Sequence, residues 1–213
     1  ELSSNFNNIP EEYYNIRKTL IELLQEYIID FNFTTRSYFL GIYFLDYIYS
    51  KYSYQDVTAK FKTDLLVLGV FLNAIKFIDD DAYPPGLDTF PSKKNPSIYY
   101  NLNEVRRYEF MVAKLMEYKM DIFTSYYLTE TMLSHGVVFT YEIESMGITS
   151  SKVIKDTIKK LYRLALDINK MFIEDINSLR FNSLEISATC IMMAKELLKF
   201  ENNFNKELQY AYK

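Results

Sequence analysis

The side chains able to do chemistry in this 213-residue chain are few and scattered. His135 is the only histidine and Cys190 the only cysteine. That sets aside histidine metal clusters and a Ser-His-Asp constellation. It also sets aside a thiolate metal site and a disulfide framework. No glycine-rich phosphate loop or Walker lysine occurs. A Ser-Lys or two-carboxylate mechanism stays open, although nothing in the spacing points to one. Cys190 lies in an apolar helical run, where a buried, unreactive thiol is expected, and cysteine usage of this kind fits an intracellular, reducing compartment.

Three further features carry charge in unusual places. Asp79-Asp80-Asp81 is a run of hard oxygen ligands of the sort that holds magnesium and a diphosphate, but a later acidic motif of matching spacing is not seen, and a solvated loop is the alternative. Lys76 falls, at about 100° per residue, inside the stripe made by Leu65, Leu68, Leu72 and Ile75. Glu109 falls beside Val105, Val112 and Met116. Burying either charge alone costs several kcal/mol, on the order of the desolvation of an unpaired ion. Each therefore needs a partner or a place at the rim of the core, where a long side chain reaches solvent.

The elements that must position these residues read as helices. Hydrophobic residues make up 49% of the chain against five Gly and five Pro, which provides a core and little turn chemistry. Residues 1–9 read as a loose polar tail. Pro10-Glu11-Glu12 starts a helix to about Asp30, with Ile16, Leu20, Leu23, Leu24, Tyr27 and Ile28 on one face. Thr34 or Thr35 caps a second, to about Lys51. Residues 63–77 are apolar almost all round, as a central buried helix should be. Residues 79–96, rich in Asp and Pro, read as loop with at most one short helix.

Further helices are expected over 102–118 and 125–139, with a possible end at His135-Gly136. Residues 152–175 form the next, and Asn182 or Ser183 caps a last one to about Phe200. The helix–loop–helix pattern of 35–77 returns faintly at 152–200. Net charge is −4 with no basic stripe, unlike a nucleic-acid binder. No signal peptide or apolar run of membrane-spanning length is read. A chain opening on Glu1 fits a piece of a longer one.

Taken in order, these residues resemble a cyclin box. Ser37-Tyr38-Phe39-Leu40-Gly41-Ile42-Tyr43-Phe44-Leu45-Asp46 is similar to the family's second helix, with Tyr47 where an arginine is usual. Val70-Phe71-Leu72-Asn73-Ala74-Ile75-Lys76-Phe77 resembles the end of its third helix, and Tyr83-Pro84-Pro85 the segment after it. Ile78-Asp79 stands for the usual acidic pair there, with two extra residues before the tyrosine. Glu109, Val112 and Leu115 resemble its fifth helix. Counted back from Asp46 without a gap, Ile16-Arg17-Lys18-Thr19-Leu20 falls on the docking segment of cell-cycle cyclins. The likeness is closest over residues 12–130 and weaker over 150–200.

The resemblance implies an all-α cyclin fold: a five-helix box over residues 10–123, then a second, incomplete box over 124–213. It implies a regulatory subunit, without catalysis or cofactor of its own, that binds and activates a cyclin-dependent protein kinase in the nucleus or cytoplasm. Lys76 and Glu109 would meet and hydrogen-bond the kinase backbone, with Phe77, Tyr118 and Met120 as the apolar contact. Ile16, Leu20 and Glu26 stand where Arg-x-Leu substrates dock, although Thr19 and Leu23 replace an isoleucine and the tryptophan of that groove. Two alternatives are a transcription-factor-B-like nucleic-acid-binding module and an all-α isoprenoid-type enzyme using Asp79-Asp80-Asp81.

Overall fold

The computed structural model describes residues 9–79, 89–92 and 97–200. Asp80, Asp81, Tyr83-Pro84-Pro85 and the two terminal tails lie outside the described residues. The chain divides between Ile122 and Phe123 into two compact units. Among the described residues the architecture is all-α apart from one two-stranded sheet.

In the first unit α1 spans Glu11–Asp30, preceded by Pro10 and opened by Glu11 and Glu12. It ends on Asn32, which takes the left-handed conformation at φ 55°, while Phe33 N–H returns to the Ile28 carbonyl at 3.0 Å and Asn32 N–H to Ile29 at 3.1 Å. Thr34 then caps α2, Thr35–Lys51, by accepting from Ser37 N–H. A short helix, α3, spans Tyr54–Lys60 and is capped by Ser53. At seven residues it is too short for periodicity to reveal.

Helix α4, Thr63–Ile78, is buried continuously from Asp64 to Ile75 and packs against both α1 and α2. The chain then forms a hairpin where the sequence reads as loop: β1, Thr89–Pro91, pairs antiparallel with β2, Tyr99–Asn101. Pro91, lacking an N–H, is accommodated because a two-stranded sheet has only edge strands. Asn101 caps α5, Leu102–Leu115, which packs across α4. The expected helix over 102–118 therefore ends three residues early.

Two polar clamps sit inside this apolar unit. Arg17, on α1, forms a two-pronged ion pair with Asp46 on α2, Nε to Oδ1 at 2.8 Å and Nη2 to Oδ2 at 2.9 Å. Both residues are 1% exposed. Tyr13 O–H donates to the same Oδ1 at 2.6 Å and its ring stacks on Tyr49 at 4.4 Å. Burial works against the guanidinium charge, yet Asp46 outweighs it and the Arg17 pKa rises. Burial, then the Asp46 charge, holds the Tyr13 phenol protonated well beyond its ordinary range. The second clamp is Asp64, 4% exposed, which accepts from Tyr27 at 2.9 Å, Tyr100 at 3.2 Å and Ser92. It ties α1 and the hairpin to the start of α4.

The second unit holds α6 (Ser125–His135), α7 (Thr140–Ser145), α8 (Ser151–Glu174), a 3-10 turn over Ile176–Arg180 and α9 (Ser183–Leu197). Helix α6 stops at Gly136, whose φ of +92° suits glycine and breaks the helical run expected to reach Phe139. Asn182 and Glu185 form a capping box at the start of α9. Its core contains a buried ion pair: Lys195 and Glu142, both fully buried, meet at 2.6 Å, and Lys195 also donates to the Val137 carbonyl at 3.0 Å. Among the described residues no helix is long and apolar enough to cross a membrane.

Removing one partner of a buried pair leaves the other charge without compensation, at a cost of about 3–5 kcal/mol. Arg17→Ala is expected to lower unfolding stability by about that amount in urea titration. The double variant Arg17→Met, Asp46→Leu is expected to lose markedly less. Equal losses in both would show that the charges are not what matters at this position.

Candidate functional site

The site forms where α4 and α5 cross. Gly69 allows the approach: a Cβ there would stand 3.0 Å from the Tyr108 carbonyl oxygen and 3.1 Å from Val112 Cγ2. One turn later Asn73, 7% exposed, donates from Nδ2 to the Gly69 carbonyl at 2.8 Å and across to the Glu109 carbonyl at 2.9 Å. The α5 backbone at Glu109 is thereby fixed relative to the last turn of α4, which carries Lys76.

Lys76 Nζ and Glu109 Oε1 then meet at 2.5 Å. Leu65, Leu68, Leu72 and Ile75 on α4 and Val105, Val112 and Met116 around α5 are all buried. The two charged side chains keep 32% and 19% of their exposure. The pair thus lies at the rim of the core, where the ion-pair energy of the free protein is modest, about 0–1 kcal/mol. Next along each helix stands an exposed aromatic ring, Phe77 on α4 and Phe110 on α5. Lys114 Nζ lies 4.7 Å from the Phe110 ring centre.

Beyond α5 the backbone is strained. Glu117 and Tyr118 both take positive φ, 53° and 59°, a conformation rare for a bulky residue. Tyr118 N–H closes the helix end on the Ala113 carbonyl at 2.9 Å. The Glu117 carboxylate is gripped by Lys51 on α2 and by Lys119 at 2.9 Å. The hydrogen bond from Lys51, then that from Lys119, lowers its pKa to about 2. The Tyr118 ring is left 61% exposed, and Met120 is half-buried.

The remaining sequence candidates fall elsewhere. On α1, Leu20 is 1% exposed, Ile16 half-buried and Glu26 exposed. Leu20 therefore belongs to the core and is not available to line an open groove. Asp79 accepts from Ser37 Oγ at 2.5 Å and from Thr34 Oγ1 at 3.3 Å, so it works at the N-terminus of α2. Asp80 and Asp81 lie outside the described residues, and among those described no three of His, Cys, Asp and Glu are grouped to hold a metal. His135 donates from Nδ1 to the Thr131 carbonyl at 2.8 Å. Burial pushes the Cys190 thiol up to about 12.

Sequence reasoning singled out Lys76 and Glu109 because a charge in an apolar stripe is conspicuous. It missed Asn73 and Phe110. Asn73 had a signal, a polar residue inside the all-apolar run 65–75. Phe110, lying outside the apolar stripe of α5, is the sort of exposed aromatic that sequence alone rarely separates from a core residue. No protein-family model matches this sequence, and no curated protein matches it.

Two outcomes test this geometry. Asn73→Ala is expected to cost about 1 kcal/mol in denaturant titration and to raise hydrogen exchange of the α5 amides around Glu109. Glu117 is expected to titrate by carboxyl NMR with a midpoint of about 2, and Lys51→Met to return it toward the ordinary carboxylate range. Because the folded value is depressed, the stability it contributes is present above that range and lost as pH falls toward 2.

Proposed function

We propose that this chain is a cyclin, a regulatory subunit that binds and activates a cyclin-dependent protein kinase through the face built around Lys76 and Glu109. The observation that carries the reading is their meeting at the core rim beside exposed Phe77. They come from helices separated by the 79–101 connection, so helical periodicity alone does not bring them together. The resemblance assigns both to the kinase contact. The all-α character of the unit that carries them further supports the reading.

In the mechanism the kinase supplies every catalytic group. Alone, it holds its C-helix away from the active site, with its catalytic Lys–Glu pair unmade. The cyclin binds the in-position better, and its differential affinity moves the equilibrium. Lys76 and Glu109 hold each other in place and offer remaining donor and acceptor capacity to kinase backbone. Phe77, the exposed ring of Tyr118 and half-buried Met120 add apolar area. Tyr118 is delivered by strained backbone, as binding residues often are. With Leu20 in the core, the chain acts by activation more than by Arg-x-Leu substrate recruitment.

Lys76→Glu and Glu109→Lys are expected to abolish kinase binding in a pull-down from source-cell extract while leaving the helical circular dichroism unchanged. Losing one partner of a charge pair buried at an interface costs about 2–5 kcal/mol, enough to turn nanomolar binding micromolar. Full kinase capture and activation by both folded variants would reject this face.

A further inference from the structure

A second feature of the first unit lies away from Lys76 and does not depend on the kinase reading. A cavity of about 550 Å³ opens to solvent between the end of α3 and one face of α5. Its walls are Lys60 and Lys62 on one side and Asn103, Arg107 and Met111, one helical stripe, on the other, with Glu104, Tyr108 and Asn101. Three cations thus face one carboxylate, in a chain whose net charge is −4.

That carboxylate is already engaged, since Glu104 stands 3.5 Å from Lys62. Among the described residues the side chains of Lys60 and Arg107 make no hydrogen bond or ion pair. The neutral groups add donors. Tyr108 oxygen accepts from Lys62 N–H at 3.2 Å, which leaves its own proton to give. Asn101 Oδ1 accepts from Glu104 N–H at 2.9 Å, which leaves the amide NH₂. The cavity is therefore rich in donors and has a net charge of about +2.

We infer that this cavity is a docking site for a phosphomonoester, supplied as a phosphorylated serine or threonine in a partner polypeptide. A phosphomonoester carries about −1.5 to −2 charges at pH 7 and three acceptor oxygens, matching both the charge and the donor surplus. Arginine presents a fork of parallel N–H groups suited to such oxygens. The volume exceeds that of a phosphate group, so it leaves room for flanking residues, and Met111 offers them an apolar contact. A nucleotide base would have only the Tyr108 ring among the lining residues to stack on, and that ring already packs against Phe61 at 5.9 Å with its hydroxyl tethered to Lys62 N–H. A long polyanion is matched less well, since three cations in one cavity, with Glu104 among them, offer no extended track for a phosphate backbone.

The test is a heteronuclear NMR titration of the full chain with an acetylated Gly-Gly-phosphoserine-Gly-Gly peptide. Saturable shifts at the amides of Lys60, Lys62, Asn101 and Arg107 are expected, with none from the unphosphorylated peptide. Arg107→Glu and Lys60→Glu should each weaken binding about tenfold or more, and Arg107→Lys less. These side chains are exposed, and an unchanged amide spectrum elsewhere verifies the fold. Inorganic phosphate binding as tightly as the peptide would overturn the polypeptide assignment, as would a DNA or RNA oligonucleotide displacing the peptide at equal charge. Absence of saturable shifts at millimolar peptide, or binding indifferent to Arg107→Glu, would overturn the site itself. Lys76→Glu is expected to leave the titration unchanged, which separates this result from the fate of the kinase reading.

Discussion

The placement of α1 on α2 depends on one buried carboxylate. Asp46 is 1% exposed, and an ion of that kind without partners would cost several kcal/mol, as an effective desolvation penalty. It is tolerated because Arg17 meets it with two parallel bonds and Tyr13 adds a third. All three must be present in one geometry, so helix registers that separate them carry an uncompensated charge. Apolar packing imposes no such condition: the stripe of Leu20, Leu24 and Tyr27 would accept small sliding motions at little cost. The pair therefore adds selectivity among packings more than it adds net stability.

With α1 and α2 fixed, α4 has a defined slot, but an apolar helix buried all round could rotate in it. Asp64 and Asn73 set its rotation. Asp64, in the first turn, is met by hydroxyls from Tyr27 on α1 and from Ser92 and Tyr100 around the hairpin. Asn73, in the third, reaches the α5 backbone. Lys76, three residues on, is then aimed at Glu109. The second unit repeats the logic with other residues. Lys195 and Glu142 join α9 to α7, and Asn169 of α8 accepts from Ser125 at 2.9 Å and donates to Thr129 at 2.7 Å.

These polar clamps also mark the limit of what the sequence discloses. The long helices were legible because 3.6-residue periodicity and caps such as Thr34 and Asn182 agree with each other. Charges in apolar stripes exposed Lys76 and Glu109. Arg17 carries the same signal, since it shares a face with Tyr13, Leu20 and Leu24. Its partner Asp46 lies on another helix, and a wheel shows which face a residue takes but not what it meets. The hairpin was hidden because each strand is three residues long, too short to show alternation, and the first ends in Pro91. Helices α3 and α7 are too short to show a period. The left-handed Glu117 and Tyr118 were unreadable, since neither residue type favours that conformation. What holds them is Lys51, far away in sequence.

The energetics of the α4–α5 rim are those that the proposed contact surface would need. In the free protein Lys76 and Glu109 keep contact with water, so their pairing contributes little to folding. Their geometry is set instead by Gly69 and Asn73, which lie inside the core and do not depend on the charges. A partner that covers the pair removes its water, strengthens the attraction between the charges and must satisfy whatever lone pairs and protons remain. A backbone carbonyl and N–H at the right spacing meet that requirement, whereas an apolar surface leaves two desolvated ions incompletely bonded. An arrangement that is nearly neutral in isolation would thus discriminate steeply between partners, without asking the fold to store that energy.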